Sequence, residues 1–190
     1  MINSAITIIA NELNYSLQKT FRLDEDIVVV SNTVEQDGSL PLQAANKVAV
    51  SLINVERDTF SKSMRGTGPG FARSVVGFEP VYLNLYILVS VCFGGNNYQE
   101  SMKFLSNVIA FFQRRPIFDH SNTPDMDDRI EKLVLDLENL SIQELSNMWG
   151  ILGGKYYPSV LYRARVVIDP GDIRDQAVTI SATPETSFGS

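Results

Sequence analysis

The run "EPVYLNLYILVSVCF" (79–93) limits the possible folds more than any other part of the chain. Val81, Leu83, Leu85, Ile87, Val89, Val91 and Phe93 alternate with Tyr82, Asn84, Tyr86, Ser90 and Cys92. Period two is the signature of a β-strand, because successive side chains leave a strand on opposite faces. One face is apolar throughout and predicts a core. The other mixes aromatic and polar groups and suits packing against a further element or a partner. A strand this long needs a sheet around it, and the rest of the chain must supply that sheet.

Further strands are predicted from "DIVVVSN", "KVAVSLINVERD", "EKLVLDLENL" and "PSVLYRARVVID". In the second, Val48, Val50 and Leu52 oppose Ala49, Ile53 and Val55, so both faces are apolar. In the third, Leu133, Leu135 and Leu137 alternate with Lys132, Val134, Asp136 and Glu138. In the last, Val160, Tyr162, Ala164, Val166 and Ile168 oppose Leu161, Arg163 and Arg165.

Three segments carry helical periodicity instead. Ile2, Ile6, Ile9, Leu13, Leu17 and Phe21 form one stripe. Tyr98, Met102, Leu105, Ile109 and Phe112 form a second, widened by Phe104, Val108 and Phe111, with Arg114 and Arg115 at its end and Pro116 as its stop. The third opens with "SIQE", a capping box of Ser141 and Glu144. Ile142, Leu145, Met148, Trp149 and Leu152 are its expected buried face, and Gly153 and Gly154 its left-handed stop. Trp149, the only tryptophan, reads as a core residue in preference to an interface one.

Helix, strand, strand, loop, strand, helix, strand, helix, strand predicts an α+β domain over residues 1–169. Its sheet should be mixed and largely antiparallel, with helices packed on one face. Residues 59–78, with glycines at 66, 68, 70 and 77 and Pro69, read as a long mobile loop, and 170–190 as a flexible tail around "AVTIS".

Composition narrows the class of function. A chain of 190 residues with 44% hydrophobic residues can bury a core without metals or disulfides. Its single cysteine, Cys92, excludes an intrachain disulfide. A net charge of −6 argues against a nucleic-acid partner. No run is long and apolar enough for a membrane span, and the N-terminal stretch lacks the basic start of a signal peptide. Synthesis in the cytoplasm is expected.

Catalytic vocabulary is sparse. His120, beside Asp119, has no nucleophile motif to serve and reads as a solvated loop residue. One histidine and one cysteine cannot build a zinc site of nitrogen and sulfur ligands. "DMDDR" (125–129) begins like a calcium loop, but Ile130 and Asp136 stand where glycine and glutamate are needed. "GTGPG" fits neither phosphate-binding glycine pattern. No cofactor, metal or catalytic residue is predicted.

Charged and apolar surface residues suggest contacts instead. Arg65, Phe71 and Arg73 lie in the long loop, and Val178 and Ile180 in the tail. Asp136 and Glu138 project from one strand, Arg163 and Arg165 from another. These four are either cross-strand ion pairs or complementary patches on different copies of the protein.

Several blocks, taken in order, resemble one bacterial family. "NKVAVSLINVE", "PVYLNLYILVS", "FLSNVIAFFQRRPIF", "NTPDM" and "KLVLDLENLSIQELSNMWGILGGKYYPSVLYRARVV" are similar to tail-terminator or cap proteins of phage-tail-like contractile injection systems of the antifeeding-prophage and virulence-cassette type. The resemblance runs from residue 1 to about 170. It implies a tail-terminator-like fold and structural work rather than catalysis. It also implies a homo-oligomeric ring, expected to be a hexamer, at the baseplate-distal end of the inner tube. There the ring would end tube polymerisation and anchor the last sheath layer, making the tube and sheath proteins its partners. The particle itself would be released or stay with the cell. Another structural place in the same particle, and a small-molecule-binding enzyme, are the competing expectations.

Overall fold

A computed structural model describes residues 1–35, 37–58, 81–95, 97–153 and 155–168. The long loop with Arg65, Phe71 and Arg73, and the tail with Val178 and Ile180, lie outside the described residues, as does Gly154.

The chain begins with helix α1 (Ile2–Phe21), which buries Ile6, Ile9, Leu13 and Leu17 as its periodicity predicts. It ends at Arg22 in the left-handed conformation. Asn14, off the apolar stripe, then holds the connection out of the helix. Its Oδ1 accepts from the backbone N–H of Ile27 at 2.9 Å and of Val28 at 3.0 Å. That bracket delivers the chain into strand β1 (Val28–Val30). A short 3-10 turn (Leu42–Ala44) lies between β1 and β2 (Val48–Arg57), and β1 pairs with β2 in parallel.

Among the described residues every other pairing is antiparallel. Strands β3 (Val81–Val91), β4 (Ile117–Asp119), β5 (Ile130–Glu138) and β6 (Ser159–Ile168) complete a six-stranded sheet in the order β1-β2-β3-β6-β5-β4. Helix α2 (Tyr98–Arg114) links β3 to β4, and α3 (Ile142–Ile151) links β5 to β6. The α+β class and the mixed, largely antiparallel sheet agree with the sequence reading.

Register sorts the strand residues into two faces. Val48 and Val50, Leu85 to Val91 at odd positions, Tyr162 to Ile168 at even positions, and Leu133 and Leu135 share the first face. α1 and α2 cover this face and complete the main core. Phe104 stacks on Phe21 at 4.1 Å between ring centres, which joins the two helices. Arg115 closes the far end of the pair. Its guanidinium binds Glu12 of α1, donates to Thr123 Oγ1 at 2.8 Å, and lies 4.9 Å from the Phe118 ring centre.

The structure departs from the sequence reading in four places. α3 does not join α1 and α2 but lies on the second face of the sheet, where Trp149 packs with Leu88 and Leu161. The buried stripe of α2 is Ser101, Phe104, Val108, Phe111 and Phe112, whereas Tyr98 is 60% exposed. Ile142, expected in the buried face of α3, stands in solvent at 87% exposure, while Leu140 just before the helix and Leu145 one turn on pack against the Trp149 cluster in its place. The segment after Pro116 contributes a short edge strand, β4, that alternation over three residues cannot announce.

Candidate interaction surface

The second face of the sheet carries the polar residues singled out by the sequence. Asn54, Tyr86, Arg163 and Asp136 form one row across β2, β3, β6 and β5, and Glu56, Asn84, Arg165 and Val134 form the next. A register shift between Leu52 and Asn54, a bulge at Ile53, places Asn54 and Glu56 on this face.

Asp136, Glu138, Arg163 and Arg165 are brought together as diagonal cross-strand pairs within one chain. Asp136 sits directly opposite Arg163, but each arginine reaches the carboxylate two residues further along β5 than its direct partner. Arg165 Nη2 donates to Asp136 Oδ2 at 2.8 Å, and Arg163 Nε lies 3.6 Å from Glu138 Oε2. The second distance is a charge contact, too long for a hydrogen bond. All four side chains keep a third to a half of their surface open. The arrangement is a partly solvated polar sheet surface whose charges balance locally.

Glu56 extends this lattice to β2. Tyr86 Oη donates to Glu56 Oε2 at 3.0 Å, and Asn54 Nδ2 to Glu56 Oε1 at 3.1 Å. Burial, then the Glu56 carboxylate, raises the Tyr86 phenol above its ordinary value. Asn54 Oδ1 meanwhile accepts from the Val55 backbone N–H at 2.9 Å. A side chain thus occupies a backbone donor next to the bulge, and both features discourage chance pairing of this strand.

Next to the lattice, "SNMWGILGGKYYPSVLYRARVV" (146–167) builds the covered part of the face. Ser141 caps α3: its Oγ accepts from Glu144 N–H at 3.3 Å, and Glu144 Oε2 accepts from Ser141 N–H at 2.8 Å. The hydrogen bonds from Ser141 hold the Glu144 carboxyl below its ordinary value. Trp149 is buried and meets Tyr156 edge-on at 5.6 Å between ring centres, with Tyr157 at 6.0 Å. Its indole Nε1, the hydroxyls of Ser90 and Ser159 and the Asn84 Oδ1 are buried without a hydrogen-bond partner among the described residues. Gly153 terminates the helix at φ 95°, and a Cβ there would meet Val34 Cγ1 at 3.1 Å.

Between the end of α3 and the bulge lies an open depression of about 380 Å³. Val34, Ser51, Ile53, Ile151 and Leu152 are among the residues that line it. Ser51 donates to the Ser31 carbonyl at 2.6 Å, so its hydroxyl is already committed.

The remaining reactive groups lie apart from this face. His120 is exposed in the turn after β4, where Asp119 accepts from Ser121 and Asn122 and is held below the ordinary carboxylate range, chiefly by Ser121. Cys92 is buried, and burial pushes its thiol up to about 11, which keeps it protonated and unreactive at neutral pH. Asp127 grips Arg129 at 2.7 Å in the turn of "DMDDR". Among the described residues, no three His, Cys, Asp or Glu side chains gather as a metal site would require, and no helix is long and apolar enough to cross a membrane.

Asn14 and Arg115 are structural brackets that sequence reasoning did not find. Arg115 and Glu12 are 103 positions apart, so no local pattern links them.

With this architecture in place, the chain belongs to a family defined by a single domain. That family is the Pvc16 N-terminal domain, whose profile matches residues 4–182 and therefore extends past Pro170. No curated protein matches the sequence. Among solved structures, the chain is similar to the sheath/tube terminator of the extracellular contractile injection system PVC in its extended state. Identity is 16%, the match covers 95% of this chain and 63% of that one, and the TM-score is 0.48. It is also similar to the tube-terminating cap of the anti-feeding prophage, at 13% identity, with 92% and 60% covered and a TM-score of 0.48. The chain thus spans less than two thirds of the length of either protein.

Proposed function

We propose that this chain is a structural terminator of a contractile injection particle. It closes a homo-oligomeric ring, expected to be a hexamer, on the baseplate-distal end of the inner tube. There it ends tube growth and holds the last sheath layer. The observation that carries the reading is family membership across residues 4–182, together with the ordered sequence blocks that resemble cap proteins. Its work is contact rather than turnover, its partners are the tube protein, the sheath protein and its own copies, and its assembly takes place in the cytoplasm before any release of the particle.

The topology supports a division of labour. β2 ends at Arg57, β3 begins at Val81 and β6 ends at Ile168, and these three strands are adjacent in the sheet. Residues 59–80 and 169–190 therefore join the domain at one end of the sheet. In this reading they reach neighbouring subunits from that end, through Arg65, Phe71 and Arg73 in one segment and Val178 and Ile180 in the other. The sheet domain is the platform, and Arg163, Arg165, Asp136 and Glu138 offer a further polar contact on its second face.

Electron microscopy of particles from cells lacking the chain tests the role. Uncontrolled tube length and an open distal tip are expected, with density for the chain at that tip in the unmodified particle. Sealed particles of normal length without it would overturn the proposal. Deleting residues 62–76 should abolish ring formation or capping, and unchanged cap occupancy would remove that segment from the account.

A further inference from the structure

On its outer side β2 is paired with β1 only as far as Val50. From Leu52 to Arg57 it is the edge of the sheet among the described residues. The ladder with β3 fixes which backbone groups face outward. Asp58 N–H donates to the Tyr82 carbonyl at 2.9 Å, and in an antiparallel pair such bonds recur at every second residue. Glu56 and Asn54 therefore bond to β3, opposite Asn84 and Tyr86, while Val55 and Arg57 turn their backbone groups to the open side. The bond from the Val55 N–H to Asn54 Oδ1 fits that direction.

The same stretch carries an apolar strip. On the first face Val30, Leu52 and Val55 are 41%, 39% and 40% exposed, whereas Val48, Val50 and Leu85 beside them are fully buried. An open edge with apolar side chains is a template for a further strand. Because Asn54 and the bulge obstruct chance pairing, a strand that does pair there must be a particular one.

One segment of this chain has the composition for it. "AVTIS" (177–181) is uncharged and rich in β-branched residues, and Val178 and Ile180 are spaced to share one face of a strand. The family profile runs to residue 182, past the end of β6 at Ile168, so the family's domain includes this segment. We propose that residues 177–181 of one copy add a strand to the β2 edge of the next, with Val178 and Ile180 over Leu52 and Val55. The proposal rests on the ring reading above and names the surface that Val178 and Ile180 reach. Tail and edge are two different patches on each subunit, as closure of a ring requires. A terminal strand exchanged between identical copies makes the bonds it would make in its own, so the exchange links subunits at little cost.

Hydrogen exchange and cross-linking test it on the full chain, assembled in solution or on purified tubes. The Leu52 and Arg57 amides should exchange about tenfold more slowly, or slower still, in the assembly than in the free chain. Val178→Asp with Ile180→Asp should raise the concentration for half-assembly by about tenfold or more, with the circular dichroism and thermal melt of the free chain unchanged. Cys92 is buried, so introduced cysteines report alone. A Val55→Cys chain and an Ile180→Cys chain should form a disulfide-linked dimer when mixed and oxidised, and neither should do so by itself. Both substitutions in one chain should give a ladder of oligomers. A disulfide closed within a single chain would overturn the exchange between copies. Unaltered amide exchange at Leu52 and Arg57, or assembly indifferent to the two aspartates, would overturn it as well, and each of these results leaves the terminator role standing. Failure of that role would show separately, as an unmodified chain absent from the tube tip.

Discussion

The two faces of the sheet are held by different physics. The first face is a continuous apolar layer closed by two helices, and its stability comes from burial, which is nondirectional and is not screened by salt as charge pairs are. On the second face, Trp149 of α3 covers a small patch of Leu88 and Leu161, a second small cluster gathers Ala44, Ala49 and Cys92, and beyond them lies a lattice of Tyr86, Glu56 and the arginine–carboxylate pairs. Apolar layers tolerate many sequences of the right volume, whereas a capped helix and a registered lattice demand particular residues. The first face therefore makes the domain, and the second gives it a defined surface.

Substitutions in β3 divide this comparison cleanly, because neighbouring leucines face opposite ways. Leu85→Ala opens a cavity in the main layer and should cost about 3 kcal/mol or more. Leu88→Ala, beneath α3, should cost about 2 kcal/mol, since the small cluster beside it can relax. Urea unfolding midpoints at unchanged slope would measure both. Equal losses would break the distinction and make α3 part of a single core.

Helix α3 supplies the next tests. Gly153→Ala imposes a left-handed φ on alanine and presses its Cβ on Val34, for a loss of about 1–2 kcal/mol. Ser141→Ala removes the cap and should cost about 1 kcal/mol at neutral pH. The latter loss should depend on pH in a stated direction. Glu144 is depressed in the folded state, so the stability it contributes is present above the ordinary glutamate range and disappears as pH falls through its folded value. The difference between Ser141→Ala and the unmodified chain should therefore shrink in acid. A constant difference would mean that the carboxylate of Glu144 takes no part in the box.

Much of the fold could be read directly from residues. The α1 stripe, the alternation of β3 and β6 and the capping box each follow a local period that tertiary contacts reinforce. Placement of α3 was less legible, although its signal existed. Leu88 and Leu161 interrupt the polar side of their strands, and register sets them opposite each other, marking the spot where a helix must land. Without the register the two positions look like isolated exceptions. The α2 stripe was legible only in part: Phe104, Val108, Phe111 and Phe112 are buried as read, but so many of its residues are apolar that several faces satisfy the same period, and the period alone does not show that Ser101 is buried and Tyr98 exposed. In the candidate surface, residue types identified the charged strands, but the diagonal pairing depends on which strands adjoin and cannot be extracted from either strand alone.

The smallest expected effect probes the lattice itself. Arg165 and Asp136 are each nearly half exposed, so water and salt compete for both ends of their contact. A double-mutant cycle of Arg165→Ala and Asp136→Ala should give a coupling of about 0.2–1 kcal/mol, decreasing as salt is added. The diagonal geometry sharpens the expectation, because the residue directly opposite Asp136 is Arg163. If Arg163 shared Asp136, Arg165→Ala would be partly compensated and the measured coupling would fall toward zero. If instead each arginine keeps its own carboxylate, a parallel cycle on Arg163 and Glu138 should give a weaker coupling, in keeping with a contact of 3.6 Å against 2.8 Å. A coupling well above 1 kcal/mol that resists salt would mean that these charges are shielded from water, and the second face would then be held together by the same exclusion of solvent as the first.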